Sequence, residues 1–241
     1  MRVQVVGAGR MGRAIDGALR AAGAAMLPIG GRGADGAGAD LVLLAVPDAA
    51  IAEASAMIAP GPIVGHLSGI TTLAPLVGHE ACSVHPLLSA AGLHTRFEGA
   101  WAAIDGSTER AVDAAAEVAR LLGLRVFRVR DEDRAAYHAS ASIAANFLVV
   151  LAATAERVAA TAGVPREALI PLAERSLANW ARLGPAEALT GPVVRGENET
   201  LALQRAAIGE RDPASVALYD AMVDASRRLL DQPAAPAEEA E

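Results

Sequence analysis

Near the N-terminus, three glycines stand at G-x-G-x-x-G spacing between an apolar run and a helical pattern. The motif is Gly7-Ala8-Gly9-Arg10-Met11-Gly12; residues 2–6 precede it, and residues 10–22 carry apolar side chains at helical spacing. In such a strand, turn and helix, the first glycine makes a tight turn, the second lets a pyrophosphate approach the backbone, and the third lets the helix pack on the strand. These six residues are therefore predicted to bind the pyrophosphate of a dinucleotide at the helix N-terminus.

Short apolar runs alternate with helical patterns over the first part of the chain. Further strands are predicted at residues 26–29, 41–46, 63–65, 82–84, 101–104 and 125–129, and helices at 48–58 and 108–122. This alternation predicts an α/β domain of the Rossmann type, residues 1–130, with a mostly parallel sheet. Residues 131–230 keep helical periodicity, which predicts an all-α C-terminal domain. Residues 231–241, rich in Pro, Ala and Glu, are expected to form a disordered tail.

The residues after the second predicted strand distinguish NADP(H) from NAD(H). An acidic residue about 20 positions past the glycines takes the ribose hydroxyls of NAD, but here the chain reads Gly30-Gly31-Arg32. A guanidinium suits a 2′-phosphate through charge-assisted hydrogen bonds, so NADP(H) is the predicted cofactor. The alternative is that Asp35 binds the ribose from a longer loop while Arg32 is a solvated charge.

Polar groups also follow the later predicted strands. Val46-Pro47-Asp48 ends the third strand, with Asp48 as the expected N-cap of the next helix, and Ser68 and His85 follow the fourth and fifth strands. Ligands of open α/β sheets lie across the carboxyl ends of the strands. Val46, Pro47, Asp48 and Ser68 are therefore predicted cofactor contacts, and His85 is a candidate catalytic residue.

The first helix of the predicted second domain carries a row of polar residues. His138, Ser142 and Asn146 recur at i, i+4 and i+8, which places them on one helix face. The apolar residues around them are expected to be buried, so the polar row needs partners or a ligand. One interpretation is a catalytic row beside the substrate, with Tyr137 as a substrate contact. The other is a hydrogen-bond network between helices.

A second group of substrate-binding candidates follows the turn at Gly191-Pro192. Arg195 is placed to hold a substrate carboxylate in its guanidinium fork, and Asn198 and Thr200 to add hydrogen bonds. The alternative is a surface ion pair between Arg195 and a neighbouring glutamate.

Together these segments resemble the Rossmann-like proteins with a DUF2520 domain, which are related to ketopantoate and pyrroline-5-carboxylate reductases. The resemblance extends to about residue 230. It rests on the glycine motif, Val46-Pro47-Asp48, His66-x-Ser68-Gly69, Ser83-Val84-His85-Pro86-Leu87, Tyr137-His138-Ala139-Ser140-Ala141, Asn146-Phe147-Leu148 and the loop at residues 189–196. It implies an NADP(H)-dependent oxidoreductase that reduces a small keto acid or imine acid, and a homodimer.

The same resemblance implies roles for the polar row. Ketopantoate reductases carry a catalytic Lys and an Asn where this chain has His138 and Ser142, and their N-x-L segment is similar to Asn146-Phe147-Leu148. Histidine, with an ordinary pKa of about 6.5, can replace the lysine as proton donor. His85 is the rival, because His85-Pro86 resembles a motif of prephenate and arogenate dehydrogenases. A prephenate-type dehydrogenase and a non-catalytic NADP(H)-binding protein therefore stay open as alternatives.

Composition excludes several other classes. All 21 basic residues are arginine, which excludes lysine chemistry, and the net charge of −7 disfavours nucleic acid as a partner. The single cysteine, Cys82, excludes an intramolecular disulfide and is expected to fill the core.

His66, His79, His85 and His94 lack the spacing of a zinc site, so no metal is predicted. With no leader sequence or long apolar segment recognised, a cytoplasmic protein without a membrane partner is expected.

Overall fold

The computed structural model of the chain describes residues 1–89 and 95–231. The chain divides into two compact units, Met1–Ala145 and Asn146–Glu241. His94 and the predicted tail from residue 232 onward lie outside the described residues.

The first unit is built on a single sheet. Its strands are β1 (Arg2–Val6), β2 (Ala25–Met26), β3 (Leu41–Leu44), β4 (Ile63–His66), β5 (Ala81–Leu87), β6 (Trp101–Gly106) and β7 (Arg125–Arg128). The strand order is β2-β1-β3-β4-β5-β6-β7, and every neighbouring pair is parallel except β5 and β6. The order reverses between β1 and β3, so the carboxyl ends of these strands flank a topological switch point, where ligands bind in open α/β sheets. This topology confirms the predicted α/β fold class.

Helices cover both faces of the sheet. Alternate residues of β3 point to opposite faces, so Leu41 and Leu43 join one core cluster while Val42 and Leu44 join the other. The first cluster packs under α1 (Arg10–Ala21) and α3 (Glu109–Leu121), and the second under α2 (Ile51–Ala56). A strand covered on both faces reads as a continuous apolar run, which explains why β3 was predictable from its sequence.

Cys82 lies in the first of these clusters, fully buried. Burial raises the pKa of its thiol to about 12, because the thiolate would lose its hydration there. The side chain therefore fills the core, as expected.

Two predicted elements differ from the observed ones. The strand predicted at residues 26–29 ends at Met26, because Pro28 has no backbone N–H to continue the ladder. The helix predicted from Asp48 starts later: Asp48–Ala50 form a 3-10 turn, α2 follows it, and neither has a side-chain cap. The prediction that Asp48 caps this helix is wrong, because Pro47 occupies the cap position.

The first unit continues past residue 130, the predicted domain boundary, and includes α4 (Arg134–Ser142). Polar contacts fix the start of α4 to the sheet. The backbone N–H of Leu73 donates to the Asp131 carboxylate at 3.1 and 3.2 Å, and the buried Arg134 guanidinium donates to Ser83 Oγ on β5. Arg134, the first residue of this helix, is therefore anchored in the interior of the first unit.

The second unit is helical over its described residues. After a π-helical turn at Ile143–Phe147, it contains α5 (Leu148–Ala160), α6 (Arg166–Leu183), α7 (Pro185–Ala188), α8 (Asn198–Arg211) and α9 (Val216–Leu230). Among residues 146–231, only Leu201 and Ser215 are buried. The expectation that the apolar residues around the polar row are buried is wrong, since Phe147 is 55% and Val149 68% exposed. A periodic pattern identifies an apolar helix face, but not the surface that covers it.

By length and composition alone, the helical stretch Asp131–Ala160 could cross a membrane, and it is the one such stretch in the described part of the chain. A single helix of this kind is weak support for a membrane protein, because core helices of soluble proteins meet the same criterion.

Candidate active site

The loop between β1 and α1 requires glycine for two different reasons. Gly7 has φ +114°, and a Cβ there would overlap the carbonyl oxygen of Ala45; a Cβ at Gly12 would overlap the carbonyl oxygen of Gly7. The protein itself therefore excludes side chains at these two positions. A Cβ at Gly9, in contrast, would meet no protein atom within 4 Å. The space beside Gly9 is therefore left open by the protein, and a ligand could approach the backbone there.

The N-terminus of α1 opens onto this loop. Gly9 is its N-cap residue, no side chain caps the helix, and its first turn contains no acidic residue. The first N–H groups of a helix lack intrahelical partners and form the positive end of its dipole, so they favour an anion. Arg13 Nε donates to the carbonyl oxygen of Ala8 at 2.7 Å and holds the loop in place.

A cleft of about 250 Å³ adjoins the glycine loop. Five of the residues predicted to bind the cofactor line this cleft: Gly7, Ala8, Arg32, Val46 and Pro47. Glu53, which was not predicted, also lines the cleft and is the one carboxylate among its described lining residues. Asp35 does not line it; its carboxylate accepts a hydrogen bond from the N–H of Ala37 at 3.0 Å and closes its own turn. The other predicted cofactor contacts lie outside the lining: Gly9, Arg10, Met11, Gly12, Asp48 and Ser68.

A second group of polar residues joins β5 to α4. Ser83 and His85 share one face of β5, because residues two apart on a strand point to the same side. Arg134 and Tyr137 are three residues apart on α4 and lie on the same side of that helix, so each contacts one of the two strand residues. Arg134 contacts Ser83, and Tyr137 Oη lies 2.6 Å from His85 Nδ1. The rings of His85 and His138 are 6.0 Å apart.

Gly69, in the loop after β4, packs against both histidines. A Cβ at this position would lie 2.7 Å from His138 Nδ1 and 2.8 Å from His85 Cε1. The adjacent Ser68 hydroxyl belongs to the turn that shapes the loop, since it accepts from the Thr71 N–H at 3.0 Å and lies 2.9 Å from Thr71 Oγ1. Its role toward the cofactor stays a prediction.

Burial and local charge set the protonation of this group. Burial, together with repulsion of a positive charge by the nearby His138 and Arg134, lowers the pKa of His85 to about 4. Burial also raises the pKa of Tyr137 to about 12. At neutral pH, His85 is therefore an uncharged imidazole beside an uncharged phenol.

Two further buried residues, His66 and Arg134, lie near this group. His66 is fully buried, with Nε2 3.0 Å from the carbonyl oxygen of Thr72, and burial lowers its pKa; it supports the loop rather than facing a cleft. Arg134 was missed, although its position one helical turn before His138 was a usable signal. With 2% of its side chain exposed and an ion pair to Asp131 at 2.9 Å, it is a charged group built into the interior.

The remaining candidates lie on α4 and in the second unit. Ser142 is the last residue of α4, and Asn146 lies in the π-helical turn. The Arg195 guanidinium donates to Glu197 at 2.5 and 3.0 Å, so the surface ion pair is the arrangement observed. Asn198 Oδ1 accepts from Arg227 at 3.3 Å. The substrate roles of Arg195, Asn198 and Thr200 stay predictions, as do those of Ser142, Asn146 and Tyr137.

The described residues contain no cluster of three or more His, Cys, Asp or Glu side chains that could hold a metal ion.

The sheet topology and the glycine loop define a Rossmann-type fold followed by a helical unit. The chain belongs to the family described as "Domain of unknown function (DUF2520)", whose profile matches residues 100–226, more than half of the chain. The match begins at the edge strands of the sheet and extends through most of the helical unit. The predicted family is thereby confirmed.

Solved structures with the same fold span nearly the whole chain. A protein from Thermotoga maritima is 22% identical with a TM-score of 0.81, and the match covers 95% of this chain and 100% of that one. A candidate NADP oxidoreductase from Bacteroides fragilis is 20% identical with a TM-score of 0.79, at 94% and 98% coverage. An imine reductase from Streptomyces aurantiacus is 14% identical with a TM-score of 0.68, at 95% and 94% coverage. A search of curated proteins gives no match.

Proposed function

We propose that the chain is an NADP(H)-dependent oxidoreductase that reduces a small keto acid or imine acid. The observation that carries the proposal is Gly9, whose missing side chain leaves open space beside the uncapped N-terminus of α1. The similar structures include an NADP oxidoreductase candidate and an imine reductase, which supports the same assignment.

The residues of the cleft fit an NADP(H) cofactor. Gly7, Ala8, Gly9, Arg10, Met11 and Gly12, in the loop beside the cleft, would hold the pyrophosphate on backbone N–H groups, and the free space at Gly9 supports this placement. Arg32 lines the same cleft and would pair with the 2′-phosphate, whereas Asp35 is engaged in its own turn. Glu53 would accept a hydrogen bond from an adenine amine or a ribose hydroxyl, and Val46 and Pro47 would supply apolar contact.

When bound, the nicotinamide supplies a hydride to an electrophilic carbon of the substrate. The chain's own groups must then orient the substrate and provide a proton. His138 and His85, the two candidate donors, belong to one group, because their rings are 6.0 Å apart over Gly69. Ser142 and Asn146 would orient the reacting oxygen or nitrogen. Arg195 would bind the substrate carboxylate by exchanging Glu197 for it.

A spectrophotometric screen of NADPH oxidation tests this function. Ketopantoate, pyrroline-5-carboxylate and related small keto acids and cyclic imines are the substrates to supply. We expect at least one of them to be reduced, with most activity lost in His138→Gln. NADPH binding without turnover of any substrate would instead support a non-catalytic binding protein. Activity abolished by His85→Asn but largely kept by His138→Gln would favour a prephenate-type dehydrogenase.

We also propose that a second copy of the chain covers the helical unit, giving a homodimer. Helices α5 and α6 expose large apolar side chains, including Val149 at 68%, Leu172 at 65% and Trp180 at 58%. Contiguous exposed apolar surface marks an interaction site. The same helices carry both signs of charge, as in the pair Glu156–Arg166 at 3.7 Å, which suits a self-complementary interface better than lipid.

Sedimentation or light scattering tests the homodimer. Val149→Asp should shift the protein to a monomer, because a carboxylate would be desolvated at the interface. Val77→Asp is the matched control, since Val77 is an 83% exposed valine in the first unit and should leave the oligomeric state unchanged. A wild-type monomer across the accessible concentration range would contradict the proposal.

A further inference from the structure

We infer that Tyr137 fixes the tautomer of His85, so that His85 Nε2 carries a proton and donates a hydrogen bond to the reacting atom while His138 supplies the transferred proton. This inference deepens the proposed function and rests on it. It changes Tyr137 from a predicted substrate contact to a positioning residue, and it gives the two rival histidines different tasks.

The contact between Tyr137 and His85 is specific. Tyr137 Oη is 2.6 Å from His85 Nδ1, and the two rings meet edge to face with centroids 5.6 Å apart and an interplanar angle of 83°. Within residues 1–89 and 95–231, the phenol oxygen has no other hydrogen-bond partner. Phe127 packs against the Tyr137 ring at 5.7 Å and restrains it.

The direction of this hydrogen bond follows from the chemistry of the two groups. A phenol O–H is the stronger donor of the pair, and an unprotonated imidazole nitrogen is the stronger acceptor. With its pKa raised to about 12, Tyr137 keeps its proton at neutral pH. Tyr137 therefore donates to Nδ1 of His85, and an uncharged imidazole that accepts at Nδ1 must carry its own proton on Nε2.

The surroundings keep His85 uncharged. Burial and the neighbouring His138 and Arg134 together lower its pKa to about 4, while Asp48 acts in the other direction. An uncharged imidazole is a poor proton donor but a good hydrogen-bond donor to an oxygen or nitrogen that gains negative charge. Among the described residues, His85 Nε2 makes no hydrogen bond, so its N–H is available for that contact.

His138 is held differently. Its Nδ1 is buried against the Gly69 backbone and has no hydrogen-bond partner in the described part of the chain. No side chain of the described residues therefore fixes its tautomer. Of the two rings, His85 is oriented by a fixed partner and His138 is not, which is the division expected between a hydrogen-bond donor and a group that gains and loses a proton.

The tautomer can be read without any activity. Proton–nitrogen correlation spectra of the full chain, grown with isotope-labelled histidine and assigned with His85→Asn, report which ring nitrogen carries the proton. We expect wild-type His85 to be protonated at Nε2 near neutral pH, and Tyr137→Phe to shift its nitrogen signals toward a mixture of tautomers. Protonation at Nδ1 in the wild type, or spectra unchanged by Tyr137→Phe, would overturn the inference.

Kinetics test the positioning role once a substrate is found. Tyr137→Phe keeps the aromatic packing and should lower kcat about tenfold or more, with NADPH affinity unchanged. Because Tyr137 acts through His85, adding Tyr137→Phe to His85→Asn should cause no further loss, whereas additive losses would contradict the role. Tyr219→Phe is the matched control, since Tyr219 bonds Gln204 in the second unit and its loss should leave kcat unchanged. If no substrate is turned over, the proposed function fails while the spectra still decide the tautomer.

Discussion

The two units of the chain use similar residues in opposite ways. In the first unit, every residue of β3 and β4 is buried, and helices cover both faces of the sheet. In the second, helices rich in Ala, Leu and Val leave most of these side chains exposed and the rest half-buried, and only Leu201 and Ser215 are buried among residues 146–231. The first unit thus completes its core within one chain, whereas the exposed apolar faces of the second are the reason for the homodimer proposed above.

The largest expected effect on stability comes from comparing a buried leucine of the first unit with an exposed leucine of the second. Leu43→Ala removes a fully buried side chain and should cost about 2–5 kcal/mol of unfolding free energy at any protein concentration. Leu172→Ala, on α6, should cost little in dilute protein but destabilise the concentrated dimer. Chemical denaturation at two protein concentrations measures both. Equal losses of unfolding free energy for the two variants in dilute protein would contradict this difference between the units.

Two glycines of the first unit, Gly12 and Gly9, should respond differently to replacement by alanine. Gly12→Ala should destabilise the protein by about 1–3 kcal/mol or more, because its Cβ would overlap the Gly7 carbonyl oxygen. Gly9→Ala should cost less than about 1 kcal/mol, since its Cβ meets only open space, yet lower NADPH affinity about tenfold or more. Thermal unfolding and fluorescence titration measure the two effects. Unchanged NADPH affinity in Gly9→Ala would contradict the placement of the pyrophosphate.

The stability of the first unit should also depend on pH in a way that the stability of the second does not. His85 titrates at about 4 when folded, and unfolded histidine at about 6.5, so the unfolded state binds more protons between these values. Stability is therefore fully present above pH about 6.5 and falls as the pH drops toward 4, by about 2 kcal/mol at pH 5. Urea denaturation should show a smaller fall in His85→Asn. An identical pH profile in that variant would argue against a buried, uncharged His85.

The smallest effect on stability is expected at Arg195. Its ion pair with Glu197 is exposed to solvent, so Arg195→Gln should leave the melting temperature unchanged. If the guanidinium binds a substrate carboxylate, the same variant should raise KM for the substrate with a smaller change in kcat. An unchanged KM would indicate that Arg195 forms only its surface ion pair.

The parts of the fold that sequence predicts well depend on local signals. The glycine loop and β3 are recognisable because spacing and apolar runs within a few residues determine them. The exposure of α5 was not predictable, since periodicity does not reveal what covers a helix face. The contact between His85 and Tyr137 was also missed. It depends on α4 packing in the first unit, while the sequence placed that helix beyond the last strand, in a second domain.

The most direct test of the central claim is a titration of NADPH and NADH into wild-type protein and Arg32→Ser. If the cleft of the first unit binds NADP(H), wild type should prefer NADPH by about tenfold or more, and Arg32→Ser should lose most of that preference while NADH affinity stays the same. Equal affinity of the wild type for the two cofactors, or a preference that persists in Arg32→Ser, would contradict the account.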